Sequence, residues 1–176
     1  VSSVLMSKTF DNGVVCASEQ AVIVVDSVYD AMKERFSKYG GYMLSAEEAD
    51  KVRSVLLING ALNAKIVGQS AKTIADMAGV AVPPYTKVLI GEGGWEIRED
   101  DEFAHEKLSP TLGMYRAKNF EEAVEMACKM VKMGGIGHTS CLYTDQDANQ
   151  DRIKYFGEKM KTARILLNTP TSHGGI

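Results

Sequence analysis

Short apolar runs that alternate with longer segments of helical spacing limit the fold of this chain more than any other feature. The runs have the length and character of buried strands and lie at residues 21–25, 87–90, 111–115, 140–143 and 165–167. Between them, apolar residues recur every three or four positions, as on one face of a helix. Strands that alternate with helices are typical of parallel crossover connections. The pattern predicts an α/β fold with a mostly parallel central sheet flanked by helices.

Start signals for helices support this division of the chain. Ser45, Asn119 and Ser27 are each followed three residues later by an acidic residue, which is the spacing of a capping box. By contrast, residues 91–102 are rich in glycine and acidic residues and predict an exposed loop or irregular edge. Trp95 lies within that segment, and we expect it to anchor the loop rather than to bind a ligand.

Length and charge narrow the class of protein. A chain of 176 residues suits one domain with a sizeable core, and no linker or repeat divides residues 1–176. The net charge is −3 and no basic run is present, so we expect neither a nucleic acid nor a membrane surface as partner. The chain begins with Val1 and ends soon after a predicted strand, so we expect it to be a piece of a longer polypeptide.

The cysteines are odd in number and far apart in the sequence, at Cys16, Cys128 and Cys141. This arrangement favours reduced thiols in a cytoplasmic protein over a disulfide framework. No Cys-x-x-Cys motif and no close histidine pair occurs, so we expect no metal site. Cys128 and Cys141 fall within a predicted helix and strand, where an inert thiol is expected.

Cys16 has a different setting, in a short polar loop between the turn signal Asp11-Asn12-Gly13 and the apolar run at 21–25. A thiol at such a junction is sterically open, and nearby backbone N–H groups could stabilise an oxyanion. From the local sequence alone, an inert buried cysteine is the commoner case.

Two further stretches carry polar residues that could lie at a site. Glu106 precedes a proline in a predicted loop, where a solvated surface carboxylate is the commoner case. His138 follows flexible glycines at the start of a predicted strand, from which it could reach a cleft, although a lone histidine is more often structural. Gly135-Ile136-Gly137 leads from a helix into a strand, the reverse of a dinucleotide-binding fingerprint.

The amino-acid sequences of these stretches resemble motifs of a known family. Asn-Gly-Val-Val-Cys-Ala-Ser-Glu-Gln, around Cys16, resembles the nucleophile loop of the aldehyde dehydrogenase superfamily. Gly-His-Thr at His138 resembles a motif of its CoA-acylating branch, as found in bifunctional aldehyde-alcohol dehydrogenases. The resemblance extends over essentially the whole chain. It implies an aldehyde dehydrogenase catalytic domain, with the cofactor-binding domain absent from these residues and located upstream.

The resemblance also implies cofactor contacts. Glu106-Lys107-Leu108-Ser109-Pro110 is similar to the family's Glu-x-Phe-Gly-Pro motif, in which the glutamate binds the ribose hydroxyls next to the nicotinamide of NAD. Leu108 stands where the family has phenylalanine, so apolar packing against the nicotinamide is retained but aromatic stacking is lost. Ser109 stands where the family has glycine.

The function implied is that of a CoA-acylating, NAD-dependent aldehyde dehydrogenase that interconverts acetaldehyde and acetyl-CoA. Cys16 would be the nucleophile that carries a thioester, and His138 would assist the thiolate or the sulfur of CoA. The metabolic partners would be an aldehyde and CoA. The resemblance also implies a homo-oligomer, which is filamentous in some bifunctional relatives.

Two alternatives remain open on the sequence alone. A hydrolytic aldehyde dehydrogenase would share Cys16 but deliver the acyl group to water, and a non-catalytic assembly module would use the same fold for oligomer contacts. In the family, the segment at residues 168–175 closes the substrate funnel, with Thr171, Ser172 and His173 as polar candidates. An ordinary exposed loop explains that segment equally well.

Overall fold

A computed structural model describes residues 1–174 of the chain, and these residues fold as alternating helices and strands. The helices are α1 (Ser2–Thr9), α2 (Asp26–Lys38), α3 (Ala46–Leu56), α4 (Ala71–Met77), α5 (Phe120–Met133) and α6 (Gln150–Lys159). The strands are β1 (Ala21–Val25), β2 (Gly41–Met43), β3 (Leu57–Ile58), β4 (Ala61–Leu62), β5 (Val88–Gly94), β6 (Thr111–Ala117), β7 (Thr139–Leu142) and β8 (Arg164–Leu167). Short 3-10 turns lie at Phe10–Gly13, Glu102–Ala104 and Thr171–Gly174.

The central sheet is parallel, as predicted, with strand order β1-β6-β5-β2. Ala21 of β1 pairs with Gly113 of β6, so these two strands begin at the same edge of the sheet. Within residues 1–174, β7 and β8 form a separate parallel pair, and β3 and β4 form an antiparallel pair. The loops that precede β1 and β6 therefore emerge side by side, and they contain Cys16 and Glu106.

Helices cover both faces of the central sheet because alternate residues of each strand point to opposite sides. In β5, Val88 and Ile90 pack with residues of α1 and α2, whereas Leu89 packs with residues of α3 and α4. All three side chains are fully buried. A strand that is buried on both faces has a continuous run of apolar residues, so β5 could be predicted from the sequence.

Several elements differ from the sequence-based expectations. β5 continues through Gly94, so part of the predicted loop at 91–102 is strand. Asn59 and Gly60 do not simply end a helix but form the turn between β3 and β4, with φ of 53° and 77° as in a type I′ turn. β2 was also not predicted, because three residues are too few to give a clear period.

The predicted caps had mixed outcomes. Ser45 forms a complete capping box with Glu48, and the Asn119 side chain accepts a hydrogen bond from the backbone of α5, so both predictions are confirmed. The cap predicted at Ser27 is wrong, since α2 begins at Asp26, directly after β1. β1 leads directly into α2, so Val25 occupies the N-cap position and makes no side-chain cap hydrogen bond.

Trp95 is 48% exposed and contacts a residue outside its own segment. The guanidinium carbon of Arg116 lies 5.0 Å from the centre of the Trp95 ring and 4.7 Å from that of Tyr29. Arg116 also pairs with Asp26. Among residues 1–174, no helix combines the length and hydrophobicity needed to cross a membrane.

Candidate active site

Cys16 lies in a tight turn at the amino end of β1, where its side chain is exposed. The backbone N–H of Ser18 donates to the carbonyl of Val15 over 2.8 Å, which closes the turn around Cys16 and Ala17. Ala17 and Ser18 are buried and hold the turn against the protein interior, whereas the thiol of Cys16 is exposed. The inert buried cysteine permitted by the local sequence is therefore not what the structure contains. We call residues 15–18 the nucleophile turn.

Gly13 fixes this turn against the segment that contains Glu106. A Cβ atom at Gly13 would lie 2.8 Å from the carbonyl carbon and oxygen of Ser109, and its φ of +74° also favours glycine. The Ser18 hydroxyl donates to the Gly13 carbonyl over 3.3 Å. The close approach of two backbones thus holds the nucleophile turn against residues 105–109, which we call the glutamate loop.

The glutamate loop presents the two predicted cofactor residues. Glu106 is exposed, and within residues 1–174 its carboxylate makes no hydrogen bond or ion pair. Leu108 is half-buried with a left-handed φ of 43°, and its carbonyl accepts from the backbone of Gly68 over 3.1 Å. The Asn12 side chain donates to the Gly68 carbonyl over 3.0 Å. Gly68 therefore bridges the glutamate loop and the segment just before the nucleophile turn.

Gln20 makes a second bridge, which the sequence analysis did not assign. Its Oε1 accepts from the backbone N–H of Lys107 over 2.9 Å and from Lys8 Nζ over 3.3 Å. Its Nε2 donates to the Ser18 carbonyl over 3.2 Å. One amide thus contacts the nucleophile turn, the glutamate loop and α1. No local signal indicated this role, because Gln20 and Lys107 are distant in sequence.

Two fully buried lysines flank Gln20. Burial lowers the pKa of Lys8 to about 7, an effect that Glu19 and Glu106 oppose by favouring the charged form. Burial also lowers the pKa of Lys107 well below its ordinary value, with repulsion from Lys8 in the same direction. Lys107 Nζ donates to the carbonyls of Phe103 and His105 over 2.7 and 2.6 Å, which folds the glutamate loop around its side-chain nitrogen.

Glu19 joins the nucleophile turn to the last described segment. This buried carboxylate accepts from the backbone N–H of Thr171 over 3.2 Å and from the Tyr143 hydroxyl over 3.5 Å. Ser7 of α1 also bonds to the backbone of Ser172 over 3.0 Å. Thr171 and Ser172 are buried, so an ordinary exposed loop does not describe them. His173 is exposed, and Gly175 lies outside the described residues.

The remaining thiols are structural in setting. Cys141, in β7, donates to the carbonyl of Thr169 over 3.1 Å, and burial raises the pKa of its thiol. Cys128, in α5, lies 3.7 Å from the sulfur of Met160. Both are at least half-buried, unlike Cys16, as expected for thiols packed within a helix and a strand.

His138 lies outside the set of contacts that joins Cys16 and Glu106. It immediately precedes β7, is exposed, and has a φ of 67°. Its carbonyl accepts from the backbone N–H of Arg164 over 3.0 Å, so its position is set by the start of β8. Tyr143, which contacts Glu19, lies at the other end of β7, roughly 16 Å along the strand. Residues 1–174 contain no cluster of three potential metal-ligating side chains.

Comparisons with known proteins agree with the fold. The bifunctional aldehyde-alcohol dehydrogenase AdhE of Escherichia coli is 68% identical over 176 residues, which is 100% of this chain and 20% of that protein. An acetylating aldehyde dehydrogenase from Geobacillus thermoglucosidasius superposes with a TM-score of 0.94 at 39% identity, covering 99% of this chain and 38% of that one. No protein-family model matches the chain.

A third relative has been studied by substitution. A propionaldehyde dehydrogenase from Clostridium phytofermentans superposes with a TM-score of 0.87 at 28% identity, covering 99% of this chain and 38% of that one, in a variant with one histidine replaced by alanine. Another structure of the same enzyme, 26% identical, has one cysteine replaced by alanine and a TM-score of 0.83, covering 97% of this chain and 37% of that one.

The fold is that of the acetylating aldehyde dehydrogenases. Within that class, the chain is homologous to the acetylating aldehyde dehydrogenase region of bifunctional aldehyde-alcohol dehydrogenases, so the resemblance stated above is confirmed. The chain spans about a fifth of the length of the curated relative.

Proposed function

We propose that this chain is the nucleophile-bearing part of a CoA-acylating, NAD-dependent aldehyde dehydrogenase that interconverts acetaldehyde and acetyl-CoA. The observation that carries the proposal is the contact of Gly13 with Ser109, which holds the exposed Cys16 beside the loop that presents Glu106. The high identity to a bifunctional aldehyde-alcohol dehydrogenase supports the same reaction. We further propose that residues 1–176 form one catalytic domain and that a longer polypeptide supplies the cofactor-binding domain.

Cys16 performs the covalent step in this proposal. Its thiolate adds to the aldehyde carbonyl carbon and gives a thiohemiacetal, whose oxyanion can accept from the Cys16 backbone N–H. That N–H makes no hydrogen bond within residues 1–174, so it is available to an oxyanion. Loss of hydride from the thiohemiacetal leaves a thioester on Cys16. A thioester keeps the acyl group activated for transfer to another thiol, that of CoA.

Glu106 and Leu108 fit the nicotinamide end of NAD, which accepts the hydride when it is bound. The carboxylate of Glu106 is exposed and lacks a partner among residues 1–174, so it can accept hydrogen bonds from two ribose hydroxyls. Leu108 offers a half-buried apolar surface from the same loop. Its left-handed backbone directs the residue away from a regular strand, which suits a side chain presented to a ligand.

We propose that His138 orients the thiol of CoA during acyl transfer. The exposed ring at the start of β7 is free to contact an incoming substrate. The histidine and cysteine variants of the C. phytofermentans enzyme support these two residue types as the ones to test. A neutral imidazole can accept the thiol proton, which makes sulfur a better nucleophile.

We also propose that the full-length protein is a cytoplasmic homo-oligomer, with a filament as one form of assembly. The three free cysteines suit a reducing compartment. The exposed Ile165 on β8 and the exposed Ile136 before β7 offer apolar surface at one end of the chain for contacts with other parts of the enzyme. Size-exclusion chromatography with light scattering, followed by electron microscopy, measures the assembly state.

The acyl acceptor provides the test of the proposed reaction. In a full-length enzyme containing this chain, acetaldehyde and NAD should give rapid NADH formation only when CoA is present, with acetyl-CoA as product. Cys16→Ala should abolish this activity, whereas Cys141→Ala should keep most of it. His138→Ala should slow acyl transfer to CoA more than it changes the affinity for NAD.

A different product would overturn the proposal. A hydrolytic enzyme activates water with a general base close to the thioester. Equal NADH formation without CoA, together with accumulation of acetate, would establish hydrolysis and remove the role given to His138. Full activity in Cys16→Ala would show that Cys16 is not the nucleophile and would favour a non-catalytic assembly module.

A further inference from the structure

Gln20 holds together the two segments on which the proposed reaction depends. Its side-chain amide lies between the nucleophile turn and the glutamate loop, and both of its polar atoms are used. Oε1 accepts from Lys107 N over 2.9 Å, and Nε2 donates to the Ser18 carbonyl over 3.2 Å. An amide that donates to one segment and accepts from the other fixes their separation, because neither bond can lengthen without loss of geometry.

The surroundings of Gln20 make its position rigid. Lys8 Nζ contacts the same Oε1 over 3.3 Å, and the backbone N–H of Gly113 in β6 donates to the Gln20 carbonyl over 3.2 Å. Lys8 and Lys107 are fully buried. Gln20 is therefore held by α1, by the central sheet and by both site segments, while its side chain makes no hydrogen bond to Cys16 or Glu106 within residues 1–174.

We propose that Gln20 is a positioning residue that sets the distance between the Cys16 sulfur and the nicotinamide held by Glu106. This inference rests on the proposed function and adds a residue to it. Hydride transfer requires reacting atoms in near-attack geometry, and a misplacement of 1 Å can cost about 100-fold in rate. Acyl exchange between Cys16 and CoA needs the thiol but not the nicotinamide. Loss of the Gln20 bridge should thus impair hydride transfer more than acyl exchange.

Two variants of the full-length enzyme separate the donor and acceptor functions of Gln20. Gln20→Ala removes all three side-chain bonds and should raise the KM for NAD and slow NADH formation by roughly 10-fold. Gln20→Glu keeps the acceptor for Lys107 N but places a carboxylate oxygen against the Ser18 carbonyl. It should keep the KM for NAD close to that of the wild type while NADH formation still slows.

The decisive measurement is the ratio of two rates on the same preparation. One is NADH formation from acetaldehyde, and the other is exchange of labelled CoA into acetyl-CoA, which requires no hydride transfer. Both are normalised to the reactive Cys16 thiol determined by titration. In Gln20→Ala the ratio of NADH formation to exchange should fall about fivefold or more. The exposed Gln146→Ala serves as the control and should leave the ratio unchanged.

A merely structural role for Gln20 would lower both rates in proportion to the amount of folded enzyme. An unchanged ratio and an unchanged KM for NAD in Gln20→Ala would therefore overturn the inference. Glu106→Ala provides the benchmark, since it should raise the KM for NAD by removing the ribose contact. If Glu106→Ala has no effect, the assignment of Glu106 fails. If the wild type shows no CoA-dependent activity, the proposed function itself fails.

Discussion

At the scale of single residues, buried ionisable side chains are the dominant feature near the nucleophile turn. Lys8 and Lys107 are fully buried, and Glu19 is nearly so, with one carboxylate oxygen that has no partner within residues 1–174. Burial of an ionic group is costly unless polar groups replace its water. Backbone carbonyls compensate Lys107, and Gln20 compensates Lys8. Burial of these side chains costs stability, and their hydrogen bonds fix the positions of the neighbouring segments.

The lowered pKa of Lys8 predicts a specific dependence of stability on pH. Between pH 7 and 10.5 the unfolded chain binds a proton at Lys8 that the folded chain does not, so stability contributed by this group rises with pH. The slope is about 1.4 kcal/mol per pH unit. In Lys8→Met, which lacks the group, the advantage in Tm over the wild type should be constant below pH 7 and should shrink above it.

Thermal unfolding of the full-length enzyme from pH 6 to 9.5 measures this difference. The exposed Lys129→Met in α5 is the matched control, because a solvated lysine imposes no desolvation cost. Its Tm should parallel that of the wild type throughout. Parallel curves for Lys8→Met as well would mean that Lys8 is solvated in the full-length enzyme.

At the scale of elements, the proposed active site depends on close packing between loops rather than on any one strand or helix. Gly13 ends the 3-10 turn that follows α1, and its contact with Ser109 leaves no room for a side chain. Gly60, in the turn between β3 and β4, has nearly the same φ, +77° against +74°, but open space around it. The two positions thus have the same backbone requirement and differ in crowding.

Alanine at each glycine should separate these two effects. Gly60→Ala should cost about 1 kcal/mol of stability from the left-handed backbone and leave activity unchanged. Gly13→Ala should cost more and should lower kcat by roughly 10-fold to 100-fold, because the new methyl group pushes the nucleophile turn away from the glutamate loop. Thermal unfolding and kcat per titrated Cys16 thiol are the measurements. Equal effects of the two substitutions would show that the loops yield without consequence for catalysis.

At the scale of the whole molecule, the central sheet brings the proposed site residues together at one edge. The loops before β1 and β6 meet at one edge and present Cys16, Glu106 and Leu108. Phosphate binding by a dinucleotide fold requires a strand, a glycine-rich turn and a helix in that order. Gly135-Ile136-Gly137 instead follows α5 and precedes β7.

The chain expressed alone should therefore bind NAD too weakly to detect. Isothermal titration of residues 1–176 with NAD measures this, after circular dichroism has verified that helix and sheet are formed. A full-length enzyme titrated in parallel is the positive control. Micromolar affinity of the chain alone would show that the phosphates are held by residues within it.

Elements that depend on local interactions could be predicted from the order of residues alone. The five predicted strands are present, and burial on both faces explains the continuous apolar run of β5. The caps at Ser45 and Asn119 are bonds within a few residues of one another, so their spacing was sufficient evidence. The position of Cys16 before β1 followed from its neighbours, and homology confirms the family that its motif resembles.

Features that depend on residues distant in sequence became visible in the folded arrangement. β5 extends through Gly91 and Gly93 by pairing with β6, and the rings of Phe103 and Tyr115 lie where side chains at these two glycines would be. The burial of Lys8 and Lys107 and the bridge made by Gln20 likewise require partners brought together by the sheet. Sequence periodicity reports which face of an element is apolar, but it contains no information about which distant polar group completes a hydrogen bond.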